Sequence, residues 1–111
     1  MAFERACAAS EVPDDEALAV TFGDLEIAVA RENDDFYAVQ DLCSHAAVAL
    51  SEGEVADCMI ECWLHGSTFD LKTGKATVLP ATEPISTFAV EVRDGDIYVD
   101  VSEPTNGVKP S

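Results

Sequence analysis

An all-β fold is predicted by three observations: short runs in which apolar and polar residues alternate, turn residues between those runs, and no sustained 3.6-residue apolar period. Leu18, Val20 and Phe22 alternate with small or polar neighbours. Gly23-Asp24 is a two-residue turn signal, and Leu25, Ile27 and Val29 resume the alternation, which makes a hairpin. Asn33-Asp34-Asp35 marks the next turn, ahead of Phe36-Tyr37-Ala38-Val39. Near the end, Phe88, Val90 and Val92 form one strand, Asp94-Gly95 turns the chain, and Ile97, Val99 and Val101 form its partner. Cys7 is placed in a first strand. A single turn of helix is expected near Pro13-Asp14-Asp15-Glu16, because proline and acids suit a first turn. Residues 41–84 break the pattern, with glycines at 53, 66 and 74 and prolines at 80 and 84. They read as loops and short strands inserted between the two halves of a β-sandwich. The tail from Ser102 to Ser111 offers little to bury and is expected to be mobile.

Composition narrows the function. The chain has 111 residues, one domain of ordinary size, and 48% hydrophobic residues, enough for a core and against disorder. No apolar run approaches the ~20 residues that span a bilayer. The segment Met1–Cys7 lacks the basic region and long apolar core of a signal peptide, so a cytoplasmic protein is expected. In that compartment, cysteines read as metal ligands or free thiols before disulfides. The net charge of −16, from 22 acids and 6 bases, repels nucleic acid and anionic lipid. It suits either solubility or a partner with a basic face.

The sharpest signal is Cys43-Ser44-His45 and Cys62-Trp63-Leu64-His65, a C-x-H-x16-C-x2-H pattern. It holds both histidines and two of the four cysteines. Two thiolates and two imidazoles suit zinc or an iron–sulfur cluster. A structural zinc site more often pairs Cys with Cys and His with His, so the mixed pairs fit it less well. Cys7 and Cys58 lie outside the pattern and read as packed structural thiols, Cys58 in a strand beside Met59 and Ile60.

The stretch from Asp41-Leu42 through His65-Gly66-Ser67-Thr68-Phe69-Asp70 resembles the cluster-binding motif of Rieske [2Fe–2S] proteins, and the resemblance extends over Phe3 to Val101. It implies one [2Fe–2S] cluster, with Cys43 and Cys62 on one iron and His45 and His65 on the other. It implies that main-chain N–H groups near Gly66 and the Ser67 hydroxyl donate to cluster sulfurs. Gly66 stands where a side chain would crowd the cluster or a tight turn. The fold implied is an antiparallel β-sandwich over residues 1–103, with a cluster-binding subdomain at about 41–84 and a flexible tail at 104–111. Pro80 to Pro84 resembles the loop that covers the cluster.

Two departures place the resemblance on the low-potential ferredoxin branch. High-potential respiratory members carry a tyrosine where this chain has Phe69, and a disulfide between positions matching Val48 and Leu64. The function implied is one-electron transfer without catalysis, from a flavin-dependent ferredoxin reductase to a terminal Rieske oxygenase. Both histidines are used, so none remain for the mononuclear iron of an oxygenase. A monomer that docks transiently is expected, with no nucleic-acid or membrane partner. Two alternatives stay open: a small subunit of a nitrite reductase-like enzyme, and a cluster-assembly or redox-sensing module.

Overall fold

The computed structural model describes residues 3–32, 35–42, 49–63, 66–77 and 83–108. Nine strands occur among them. They are β1 (Phe3–Ala8), β2 (Glu16–Phe22), β3 (Leu25–Glu32), β4 (Asp35–Gln40), β5 (Val55–Ala56), β6 (Met59–Glu61), β7 (Thr68–Asp70), β8 (Thr87–Arg93) and β9 (Asp96–Asp100). A six-stranded antiparallel sheet has the order β1-β9-β8-β4-β3-β2, and a three-stranded sheet has the order β5-β6-β7. The small sheet comes wholly from the chain between β4 and β8. The expected all-β architecture with an insertion is thus present.

The hairpins follow from alternation and turn chemistry. β2 and β3 pair from Glu16↔Arg31 to Phe22↔Leu25 across Gly23-Asp24, with Gly23 at φ +62°. β8 and β9 close across Asp94-Gly95, both at positive φ. β3 and β4 pair up to Glu32↔Asp35, and two residues of the expected turn, 33 and 34, lie outside the described residues.

β3 explains how the two sheets meet. Ile27 and Val29 belong to one buried cluster, with Cys7, Val12, Ala38, Phe88, Ile97 and Val99. Ala28 and Ala30, on the opposite face, belong to a second cluster with Val39, Leu50, Val55, Ile60, Cys62, Phe69, Leu71 and Ile85. The alternation reads as apolar on one face, but the alanines of the other face are buried too. Their small size lets the insertion pack closely. Full burial of a side chain such as Phe69 or Ile60 stabilises by about 1.5–3 kcal/mol.

The structure corrects three expectations. No helical turn forms at Pro13–Glu16: Asp15 has φ +60° and its amide donates to the Arg31 carbonyl at 2.9 Å, extending the β2–β3 pairing. A short 3-10 helix forms instead at Ala9–Glu11, and another at Leu50–Glu52. Cys58 is not in a strand; it occupies the turn between β5 and β6, with Asp57 and Cys58 at φ +53° and +61°. The segment expected to run free is held over Thr105–Val108. The Thr105 amide donates to the Thr87 carbonyl at 2.7 Å, and the Ser86 hydroxyl donates to the Val108 carbonyl at 2.6 Å. The Asn106 amide group donates to the carbonyls of Thr73 and Ile85, each at 2.8 Å.

Candidate metal centre

Cys62 follows β6 directly, and Ser67 precedes β7. The β6–β7 ladder ends at Glu61↔Thr68. Beyond it, the Cys62 amide donates to the Ser67 carbonyl at 2.6 Å and the Gly66 amide donates to the Cys62 carbonyl at 2.9 Å. A compact turn results. Gly66 has φ +76°, which glycine adopts without the penalty a Cβ brings. No atom among the described residues lies within 4 Å of where that Cβ would stand, so the turn, rather than crowding by them, selects glycine. Cys62 and Ser67 are fully buried, whereas Trp63 is half exposed.

The lead into the first pair is anchored equally well. At the end of β4 the Gln40 amide donates to the Ser86 carbonyl, the Asp41 amide to the Glu26 carbonyl and the Leu42 amide to the Gln40 carbonyl, each at 2.9 Å. The chain is described again from Ala49, and Leu50 is buried in the same cluster as Cys62. The Glu61 amide, one residue before Cys62, donates to the Glu54 carbonyl at 2.8 Å. The described flanks of both pairs therefore meet around one core.

Of the expected ligands, Cys62 lies among the described residues; Cys43, His45 and His65 lie outside them, as do Val48 and Leu64. Pro80 lies outside as well, while Pro84 is described. No group of three or more His, Cys, Asp or Glu side chains suited to a metal occurs among the described residues. Cys62 is fully buried and forms no disulfide among the described residues. The donor chemistry of its thiolate fits a soft iron–sulfur centre.

The two other cysteines are differently employed. Cys7 is buried in the opposite core cluster, where burial pushes its thiol pKa up. Cys58 stands at the far end of β6 from Cys62, about 13 Å away along an extended chain. Its amide donates to both Glu32 carboxylate oxygens at 3.0 Å. Its thiol hydrogen-bonds Tyr37, which together with burial and the charges of Cys58, Asp35 and Glu32 pushes the Tyr37 hydroxyl up to about 12. Sequence reading missed this arrangement, since Asp-Cys carries no turn signature and no motif joins residues 32, 37 and 58.

A family model of the Rieske [2Fe-2S] domain matches residues 3–89. The chain belongs to the Rieske [2Fe–2S] domain family. It is similar to the 3-phenylpropionate/cinnamic acid dioxygenase ferredoxin subunit of Shigella flexneri serotype 5b (strain 8401), at 46% identity over 99 residues, covering 88% of this chain and 92% of that one. Its structure resembles the Sphingomonas yanoikuyae B1 ferredoxin with a TM-score of 0.83 and 32% identity, covering 89% of this chain and 98% of that one. It also resembles a chain in a complex of reduced oxygenase and oxidized ferredoxin in carbazole 1,9a-dioxygenase, with a TM-score of 0.81 and 39% identity, covering 87% of this chain and 91% of that one. As a Rieske ferredoxin, the chain holds one [2Fe–2S] cluster and serves as a one-electron carrier rather than a catalyst. No helix among the described residues is long and apolar enough to cross a membrane.

Proposed function

We propose that Cys43, His45, Cys62 and His65 hold the cluster, and that this carrier takes electrons from a flavin-dependent ferredoxin reductase and delivers them to a terminal Rieske oxygenase. The observation that carries the reading is the buried Cys62 on a hydrogen-bonded turn, in a chain alike over 99 residues to a dioxygenase ferredoxin subunit. The bound cluster supplies a one-electron couple, in a range of roughly −150 to +300 mV for the family. The protein's part is to hold it. The core around Cys62 keeps water from the thiolate side, and the Cys62–Ser67 turn fixes the cysteine against β7. Gly66 permits that turn, and the Ser67 hydroxyl is assigned as donor to a cluster sulfur. Trp63, half exposed beside a ligand, suits an interface anchor, as tryptophan often does. The charge of −16 suits a partner with a basic face around its electron-entry site. A cytoplasmic monomer that docks transiently completes the proposal.

The test is reconstitution with a flavin reductase and a terminal oxygenase from the same cell. Reductase-dependent reduction and oxygenase turnover are expected, with a rhombic EPR signal from the reduced protein. An intact cluster that supports no transfer in either direction would rule out this role. Cys43→Ser, His45→Ala, Cys62→Ser and His65→Ala should each lose the normal spectrum, whereas Cys7→Ser and Cys58→Ser should keep it.

A further inference from the structure

The first proposed ligand pair falls in the sequence between Asp41 and Ser51, and those two described residues are joined through one buried side chain. Asp41 is 3% exposed, and both its carboxylate oxygens are engaged by one residue. Ser51 donates its amide to Oδ1 and its hydroxyl to Oδ2, each at 2.7 Å. Short bonds to an ionised acceptor are among the stronger hydrogen bonds in proteins. Burying a carboxylate is costly, more so in a chain already at −16, and these two donors offset that cost at one geometry.

The clamp's place in the fold gives it a task. On one side, the Asp41 amide is bonded to Glu26 of β3, and Asp41 follows the last residue of β4. On the other, Ser51 belongs to the 3-10 helix Leu50–Glu52, and Leu50 packs in the core that holds Cys62. The chain between 41 and 51 carries Cys43 and His45. Val48 and Leu64 are not cysteines, so no disulfide joins the ligand loops at those positions. Closing a loop with a fixed contact removes conformational freedom that metal binding would otherwise have to overcome.

We propose that Asp41 is a positioning residue: its clamp on Ser51 sets the ends of the 41–51 loop so that Cys43 and His45 meet the Cys62 turn. This rests on reading Cys43 and His45 as ligands. The purified, cluster-loaded protein and its variants are exposed anaerobically to an iron chelator, and the loss of visible absorption is timed. Asp41→Ala should lose the cluster at least about tenfold faster, since it removes two charge-assisted bonds. Ser51→Ala, which leaves the amide bond in place, should be a few-fold faster. Asp41→Asn should restore a rate within about threefold of wild type, because its oxygen accepts the Ser51 amide and its NH₂ group donates to the Ser51 hydroxyl.

A wild-type rate in Asp41→Ala, or a loss in Asp41→Asn as fast as in Asp41→Ala, overturns the proposal. If Asp41→Ala does not fold, Ser51→Ala decides, and a wild-type rate there overturns it equally. Cys43→Ser separates the two readings. A normal spectrum in that variant removes the ligand assignment and the proposal with it. Loss of the cluster in Cys43→Ser beside wild-type behaviour in Asp41→Ala removes the clamp alone.

Discussion

Gly53 lies directly against the carbonyl of Glu61: a Cβ on Gly53 would stand 1.7 Å from that oxygen. Glu61 is the last residue of β6 and immediately precedes Cys62. The absence of one methyl group thus lets the chain returning through Leu50–Glu52 lie against the strand that leads into Cys62. The constraint is steric rather than conformational, since Gly53 has φ −91°.

Gly53→Ala is therefore expected to destabilise the protein by about 1–3 kcal/mol, toward the upper end because the opposing atom is backbone and cannot rotate away. Gly23→Ala is the control. Gly23 has φ +62° and no atom within 4 Å of a Cβ among the described residues, so only the left-handed backbone penalty of about 1–2 kcal/mol applies. Urea unfolding followed by far-UV circular dichroism compares them. Wild-type stability in Gly53→Ala, with the expected loss in Gly23→Ala, would show that the Gly53–Glu61 approach is not close in solution.

Asn106→Ala should cost about 2–3 kcal/mol, although the residue stands in a segment that composition marks as a loose tail. Its side chain donates to Thr73 and Ile85 and accepts from the amides of Thr87 at 3.3 Å and Val108 at 3.2 Å. It thereby joins the turn after β7 to the start of β8. Chemical denaturation of this variant and of a chain ending at Glu103 measures the effect. Wild-type stability in both would show that the segment is dispensable.

Asn106 also shows where the sequence ceases to be legible. The hairpins β2–β3 and β8–β9 announce themselves, because alternation and Gly23-Asp24 or Asp94-Gly95 are local signals. The C-x-H and C-x2-H pairs are local too and can be read directly at 43–45 and 62–65, whereas the role of Ser67 comes only from the family resemblance. Asn106 acts on Thr73, Ile85 and Thr87, and Glu32 acts on Cys58; those partners are set by the fold and leave no periodic trace. Strands β5 and β6 have two and three residues, too few to show a period. Pro13–Glu16 failed because pairing with β3 outweighed the preference of proline and acids for a helix start.

Tyr37 provides a pH-dependent test of the Cys58 turn. Its hydroxyl is held up to about 12, first by the hydrogen bond with Cys58 and then by burial. Unfolded tyrosine ionises near about 10. A folded value above the unfolded one means the contribution to stability is whole below about pH 10 and is lost as pH rises from there through about 12. Labelling tyrosine Cζ with carbon-13 and titrating by NMR should place Tyr37 high in the wild type. In Cys58→Ala its midpoint should fall toward about 10. An unchanged midpoint would assign the shift to burial and the neighbouring acids instead.

Phe69 bears on the reduction potential. It is fully buried, pairs with Ile60 across β6–β7, and shares its core with Cys62. A phenylalanine there has no hydroxyl to donate toward a cluster sulfur, and donors of that kind raise the potential. A one-electron reduction also adds negative charge inside a chain already at −16, with distant carboxylates partly screened by salt. The wild-type potential is accordingly expected near the low end of the family range, below zero. Phe69→Tyr should raise it by placing a hydroxyl in the core around Cys62. The same change should cost about 1–3 kcal/mol of stability if that hydroxyl finds no acceptor. Protein-film voltammetry reads the potential, and urea unfolding reads the cost. A wild-type value well above zero would contradict the charge argument. A lower potential in a Phe69→Tyr variant whose structure shows the new hydrogen bond would contradict the donor argument.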